Sequence, residues 1–188
     1  EKNEKLGKKL FITGKGRCNV TNAGDMENLF ANVMTNEKFL YSAFYTYDNQ
    51  AVMDFLEKAG CPLKVERGDR VFPVSDHSSD VIAAFGRELR KRDVEIVLNC
   101  GVREVLWDDK EENIIQGVIP ENGRKVMADA VIVATGGISY ASTGSTGDGY
   151  GFAEKSGHKI VECKPSLVPF NVKEDWCRDA MGVSLKNV

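Results

Sequence analysis

One continuous apolar run limits the folds that this chain can adopt. Residues 130–134 read Ala-Val-Ile-Val-Ala and are followed at once by Thr135, Gly136 and Gly137. An uninterrupted β-branched run of this length is typical of a strand covered on both faces, as in a parallel sheet. Glycines directly after such a strand let a ligand approach the backbone at the carboxyl edge of the sheet, although they also suit a plain tight turn.

The segments that precede this run predict the rest of the sheet. Residues 94–98 are strand-like, and apolar residues alternate with polar ones between Gly101 and Ala128. That alternation, broken by polar turns, predicts a three-stranded antiparallel meander. A parallel sheet with such a crossover occurs in FAD- and NAD(P)-binding domains, so the order of elements predicts an α/β fold.

Spacing and end signals predict the remaining elements. Apolar residues three and four positions apart mark helices, and capping residues, glycine and proline mark their ends. Two helices are predicted within residues 37–60, where Asp48 caps the second, and a third helix is capped by Ser75 or Asp76 and runs to Arg92. A hairpin turning at Gly68 and Asp69, a helix over 148–155 and a short strand over 159–161 are also predicted.

The composition disfavours several classes of protein. A net charge of -3 argues against a general nucleic-acid binder, so we expect no nucleic-acid partner. Five cysteines without a C-x-x-C pair, and only two histidines, argue against a metal site. The scattered thiols predict a reduced, cytoplasmic protein, and no apolar run approaches the roughly 20 residues of a membrane span. Because residue 1 is Glu and not Met, we expect a piece of a longer chain.

Two glycine-rich segments are candidates for binding a phosphorylated ligand. Residues 143–151 contain four glycines near a predicted helix start, where free backbone N–H groups attract phosphate. The opening segment, residues 8–22, contains Gly14, Gly16 and Arg17, and an arginine can hold a diphosphate as a bidentate donor. A flexible connector and ordinary turns are the alternatives, and no G-x-G-x-x-G follows a predicted strand.

Four blocks of sequence, taken in order, closely resemble the BaiN-like flavoproteins. The blocks are EKNEKLGKKLFITGKGRCNVTN, RVFPVSDHSSDVIAAF, ADAVIVATGGISYASTGSTGDGYGFAEKSGH and PSLVPF. That family comprises bacterial FAD-dependent oxidoreductases of the glutathione reductase and fumarate reductase flavoprotein superfamily. The resemblance implies a Rossmann-like FAD/NAD(P)-binding domain over residues 1–170 that lacks its first βα unit, and the start of an inserted substrate-side domain over residues 171–188. It also implies weak or no retention of FAD by these residues alone, which we therefore expect to be inactive without the rest of the enzyme.

The resemblance implies FAD contacts for residues in several blocks. Glu1 matches the acidic residue that binds the adenosine ribose, and Val102 matches the position whose backbone contacts adenine. The residues implied for the diphosphate and flavin side are Lys9, Gly14, Gly16, Arg17, Cys18 and Asn19. Those implied for the ADP half and its surroundings are Ala134, Thr135, Gly136, Gly147, Asp148 and Gly149.

The function that the resemblance implies is hydride transfer between a small organic substrate and the flavin of FAD. Oxygen or NAD(P)H is the implied electron partner, and no residue stands out as a catalytic acid or base. Three alternatives stay open: a flavin- or nucleotide-binding module without turnover, an inactive piece of an enzyme, and RNA modification, which the acidic charge disfavours. The sequence leaves the substrate and the oligomeric state undetermined.

Overall fold

The computed structural model describes residues 1–108, 114–165, 167 and 171–183 of the chain. The helices are α1 (Lys8–Ile12), α2 (Met26–Ala31), α3 (Tyr41–Thr46), α4 (Asn49–Lys58), α5 (Ser78–Lys91), α6 (Asp148–Lys155) and α7 (Trp176–Asp179), with 3₁₀ turns at Thr13–Gly16, Glu37–Leu40 and Ala141–Thr143. The strands are β1 (Thr21–Asn22), β2 (Leu63–Glu66), β3 (Arg70–Pro73), β4 (Val102–Trp107), β5 (Ile115–Pro120) and β6 (Val126–Met127).

The first sheet contains three antiparallel strands in the order β1-β3-β2. Strands β2 and β3 form the predicted hairpin, which turns at Gly68 and Asp69 with φ values of 76° and 55°. Two successive residues with positive φ form the tight turn whose twist matches that of the flanking strands. The hairpin prediction is therefore confirmed.

The main core lies between helices α4 and α5 and this first sheet. Asp48 caps α4 as predicted, because its carboxylate accepts a hydrogen bond from the N–H of Ala51 at 2.7 Å. The buried cluster consists of Cys18, Leu56, Ala59, Cys61, Val81 and Ala84. Helix α5 begins at Ser78 with His77 at the N-cap position, so the predicted cap at Ser75 or Asp76 is wrong by one or two residues.

The second sheet is the predicted meander, with strands in the order β4-β5-β6. Consecutive strands run antiparallel, and Val118 of β5 lies opposite Val105 of β4 on one side and Val126 of β6 on the other. Val105 is buried, whereas β6 is exposed. The alternation of apolar residues therefore identified this sheet correctly.

The predicted parallel strands are wrong for the described residues. Segments 94–98, 130–134 and 159–161 are not strands, and both sheets of the described part are antiparallel. A strand forms only when neighbouring segments complete its hydrogen bonds, and a strand of a parallel sheet also needs cover on both faces. In segment 130–134, Ile132 is predicted to be covered but is 91% exposed. The segment at 94–98 lies beside the amino terminus, because residues 97–100 form backbone hydrogen bonds with residues 1–3.

The carboxyl-terminal part of the chain contains α6 and α7. Helix α6 spans the predicted residues 148–155, so that prediction is confirmed. Helix α7 lies inside residues 171–188, and the boundary between an FAD-binding part and an inserted part at residue 170 stays a prediction. In the part of the chain that the structure describes, no helix has the length and apolar character to cross a bilayer.

Candidate functional site

A cleft of about 470 Å³ forms where the amino-terminal segment meets the loop that precedes α6. Three separate parts of the chain contribute to its wall. They are residues 1–3 and 7–9, residues 100–102 before and at the start of β4, and residues 132, 134–136, 143–145, 148 and 152. A cleft of this size lies within the range of about 300–1,000 Å³ that is usual for small-molecule sites.

Backbone hydrogen bonds hold the amino-terminal segment in this cleft. The N–H of Asn99 donates to the carbonyl of Asn3, and the N–H of Cys100 donates to the carbonyl of Glu1, both at 2.9 Å. The α-amino group of Glu1 donates to the carbonyl of Val97 at 3.1 Å. Residues 1–3 therefore run beside residues 97–100, which places the Glu1 side chain at the cleft.

The Glu1 carboxylate is oriented by a neighbour two residues along the chain. Its Oε1 atom accepts hydrogen bonds from the backbone N–H and from Nδ2 of Asn3, each at 2.8 Å. Asn3 Nδ2 also donates to the carbonyl of Thr143 at 3.1 Å. The same amide thus contacts both sides of the cleft.

Three lysines line the cleft, and two of them are paired with carboxylates. Lys2 Nζ lies 2.6 Å from Asp148 Oδ2 and 2.5 Å from Thr146 Oγ1. The hydrogen bond from Lys2 lowers the pKa of Asp148, which keeps this carboxylate ionised at neutral pH. Lys8 pairs with Glu4 at 3.1 Å.

Lys9 is the cleft lysine without a carboxylate partner among the described residues. Its Nζ atom donates to the carbonyl of Ser139 at 3.0 Å and lies 4.5 Å from the centroid of the Tyr140 ring. Neither partner carries a formal negative charge, so the positive charge of Lys9 is not neutralised. An ammonium group of this kind is suited to bind an anion.

The structure brings only part of the predicted set of residues to the cleft. Predicted residues that line it are Glu1, Lys9, Val102, Ala134, Thr135, Gly136 and Asp148. Gly147 and Gly149 flank Asp148 at the start of α6, and a Cβ added to Gly149 would lie 2.7 Å from Thr135 Oγ1. Gly14, Gly16, Arg17, Cys18 and Asn19 do not line the cleft.

Arg17 is occupied by protein carboxylates. Its guanidinium hydrogen-bonds Glu66 and Asp76 and lies 4.0 Å from the centroid of the Phe72 ring. Lys64 completes the group, with Nζ at 2.7 Å from Asp76. The hydrogen bonds from Arg17 and Lys64 lower the pKa values of Glu66 and Asp76, and these carboxylates raise the pKa of Arg17. A role for Arg17 at a diphosphate stays a prediction.

Cys18 belongs to the core, where it is 1% exposed. Burial raises the pKa of its thiol, so the sulfur is protonated at neutral pH. A Cβ added to Gly14 would lie 2.8 Å from the backbone nitrogen of Asn19, so this turn packs tightly on itself. This turn is close to the cleft in sequence, because it directly follows α1, the helix that contains Lys9.

The FAD contacts implied by the resemblance omit Lys2, Asn3 and Thr143, which line the cleft, and Thr146, which accepts a hydrogen bond from Lys2. The bonds from Lys2 and Asn3 to the loop before α6 span 140 to 146 residues, and no local spacing reports a contact of that kind. The available signal was the adjacency of Lys2 and Asn3 to Glu1, within one block of the resemblance.

A mixed α/β chain with a ligand-sized cleft at a glycine-rich loop is typical of nucleotide-binding Rossmann domains. The chain belongs to the HI0933-like protein Rossmann domain family, whose model matches residues 1–188. This match confirms the predicted fold class and the predicted family.

Three relatives cover most of this chain. It is 32% identical to the 3-dehydro-bile acid delta(4,6)-reductase of Clostridium scindens, over 97% of this chain and 43% of that protein. It is 28% identical to the ribosomal RNA dihydrouridine synthase of Haemophilus influenzae, over 91% and 42%. It is 26% identical to the ribosomal RNA dihydrouridine synthase of Escherichia coli, over 90% and 40%. The chain thus spans about two fifths of the length of these relatives.

Proposed function

We propose that this chain holds the adenosine diphosphate half of FAD in an oxidoreductase that transfers a hydride between flavin and a small organic substrate. The observation that carries the proposal is that one cleft is lined both by the Glu1 carboxylate and by the Lys9 ammonium, whose charge is not neutralised by a described carboxylate. Carboxylates bind ribose hydroxyls, and ammonium groups bind phosphate. Membership of the family supports the same assignment.

The remaining wall of the cleft fits the same ligand. Val102, Ile132 and Phe152 supply apolar surface suited to an adenine ring. Residues 134–136 present backbone that carries small side chains or none, which permits close approach. When bound, FAD supplies the redox chemistry, while the protein supplies binding and orientation.

The direction of the reaction is proposed from the relatives. Their names describe a reductase and two enzymes that form dihydrouridine, which supports reduction of the substrate. NAD(P)H is the proposed source of electrons, and a small molecule is the proposed substrate.

Calorimetric titration with ADP tests the phosphate assignment. We expect Lys9→Gln to weaken ADP binding by about tenfold, because a charge-assisted hydrogen bond is lost, and to leave adenosine binding nearly unchanged. Lys15→Gln is the matched control, since Lys15 is exposed on the neighbouring turn and does not line the cleft. Equal ADP affinity in Lys9→Gln and the parent chain would contradict the assignment.

Anaerobic spectroscopy distinguishes an enzyme from a passive binder. The chain is mixed with reduced FAD and then with an α,β-unsaturated ketone, and absorbance near 450 nm reports reoxidation. Reoxidation faster than with free reduced FAD would indicate an enzyme, because binding aligns the reactants, and it would contradict the expected inactivity of these residues alone. Binding of FAD without acceleration favours the module without turnover or the inactive piece.

A second candidate substrate is RNA, because two relatives are named as ribosomal RNA dihydrouridine synthases. The expectation of no nucleic-acid partner therefore stays a prediction, supported only by the net charge of -3. Titration of a ribosomal RNA transcript at several salt concentrations tests it. Salt-dependent binding in the micromolar range would favour RNA as the substrate, and its absence would favour a small molecule.

A further inference from the structure

We propose that Asn3 is a positioning residue that fixes the Glu1 carboxylate, so that the cleft selects a ribose with both hydroxyls over a deoxyribose. This inference rests on the proposed function, because it concerns the same cleft. It names a residue and a specificity that neither the family match nor the relatives assign.

Two donors of Asn3 converge on one oxygen of Glu1. The backbone N–H and Nδ2 both lie 2.8 Å from Oε1, so rotation of the carboxylate would break two hydrogen bonds together. Among the described residues, Oε2 has no hydrogen-bond partner. An ionised carboxylate has about four acceptor sites, so Glu1 retains enough for a vicinal diol. A diol donates two hydrogen bonds, whereas a deoxyribose donates one fewer.

Asn3 is itself held by the opposite wall of the cleft. Its Nδ2 atom donates to the Thr143 carbonyl at 3.1 Å, and Lys8 Nζ lies 3.5 Å from its Oδ1. Gly144 makes room for the amide, because an added Cβ there would lie 2.6 Å from Asn3 Nδ2. The turn around Thr143 is therefore shaped to receive this side chain, which keeps Glu1 in register with the glycine-rich loop.

A merely structural role for Asn3 makes a different prediction. If Asn3 only joined the amino-terminal segment to the loop, its loss would weaken the binding of all nucleotides by the same factor. If Asn3 orients Glu1, its loss weakens the binding only of nucleotides that use the second ribose hydroxyl. The ratio of affinities for ADP and 2′-deoxy-ADP therefore separates the two roles.

Calorimetric titration with these two nucleotides is the test. The parent chain should prefer ADP by about tenfold, the value of one hydrogen bond to a charged group. Asn3→Ala should reduce the preference to about twofold or less, because it should weaken the binding of ADP and leave the binding of 2′-deoxy-ADP nearly unchanged. Glu1→Gln should have the same effect, and the double variant should add little, because the two residues act as one unit. Asn32→Ala, at an exposed asparagine away from the cleft, should keep the full preference.

Two further variants keep the test decisive if Asn3→Ala does not fold. Asn3→Asp keeps the shape of the side chain but removes the Nδ2 group that donates to Glu1 and Thr143. Gly144→Ala places a methyl group where the Asn3 amide lies and so displaces that amide. Both should lose the ADP preference.

The outcomes separate this inference from the proposed function. An intact preference in the Asn3 variants, or an equal loss for both nucleotides, overturns the role of Asn3 and leaves the function standing. Binding of both nucleotides by the parent chain without preference has the same meaning. If the parent chain binds neither nucleotide, the proposed function fails, and the inference fails with it.

Discussion

At the scale of single residues, Arg17 shows how side-chain partners decide a role that a motif leaves open. The segment around Gly14 and Gly16 predicts a donor for a diphosphate, and an arginine there has the right fork. In the folded chain, two carboxylates from the hairpin region, Glu66 and Asp76, accept those donors. The guanidinium also stacks on Phe72. Arg17 thereby fastens the turn after α1 to the first sheet.

Replacing Arg17 tests this structural role. We expect Arg17→Ala to lower Tm by about 2–4 °C, a modest value because the partners are partly exposed and solvent screens the charges. Arg17→Lys should fall between the parent and the alanine variant, since lysine keeps the charge but loses the planar fork. Calorimetry measures Tm, and an unchanged value in Arg17→Ala would contradict the role.

The same group of charges predicts a dependence on pH. Hydrogen bonds from Arg17 and Lys64 lower the pKa values of Glu66 and Asp76 from their ordinary values of 4.5 and 3.8. The unfolded chain therefore takes up protons first as the pH falls, and stability that is present above about pH 4.5 is lost through the lowered values. The Tm difference between the parent and Arg17→Ala should be full at pH 7 and smaller at about pH 3.5. An equal difference at both pH values would argue against this ion network.

At the scale of elements, the meander depends on one close backbone approach. Gly117 in β5 is buried, has a φ of 146°, and pairs with Met127 of β6. A Cβ at this position would lie 2.0 Å from the carbonyl oxygen of Val126. The short third strand can therefore join the sheet only because residue 117 has no side chain.

An alanine at position 117 tests that dependence. Gly117→Ala should destabilise the chain by more than about 1 kcal/mol, because the new methyl group overlaps the neighbouring backbone. Gly151→Ala is the matched control, since an added Cβ in this exposed turn of α6 meets nothing within 4 Å. It should stabilise the chain by about 0.5–1 kcal/mol through helix propensity. Urea denaturation measures both, and similar values for the two variants would contradict the packing described.

At the scale of the whole molecule, buried apolar surface is concentrated on one side of the fold. Helices α4 and α5 pack with the first sheet around Leu56, which is fully buried. Segments 94–98 and 130–134 are neither helix nor strand, and within them Val97 is 50% and Ile132 91% exposed. Global stability should therefore depend on the first of these regions.

A pair of leucine substitutions tests this distribution. Leu56→Ala should cost about 2–5 kcal/mol, because it removes a fully buried side chain and leaves a cavity. Leu167→Ala, at a leucine that is 95% exposed, should change stability by less than about 0.5 kcal/mol. Urea denaturation followed by circular dichroism gives both values. A small effect of Leu56→Ala would place the stabilising core elsewhere.

Much of the secondary structure could be predicted because its signals are local. Asp48 as a helix cap, Gly68 and Asp69 as a turn, and the alternation through β4 and β5 each report on neighbours close in sequence. The prediction of a strand at 130–134 is wrong because an apolar, β-branched segment shows only that its side chains suit a buried strand. The hydrogen-bond partners of a strand come from other parts of the fold, and the segment itself carries no signal for them.

The candidate site divides in the same way. The amino-acid sequence by itself determined the family, the α/β class, the acidic Glu1, the lysine-rich start and the glycines before α6, because each is a matter of residue type and order. Only the tertiary structure decided that Lys9 lacks a carboxylate partner in the described part of the chain while Arg17 has two, and that Asn3 reaches from Glu1 to Thr143. The physical reason is that charge pairing and side-chain hydrogen bonds depend on distances of about 3 Å between groups that the chain order places far apart.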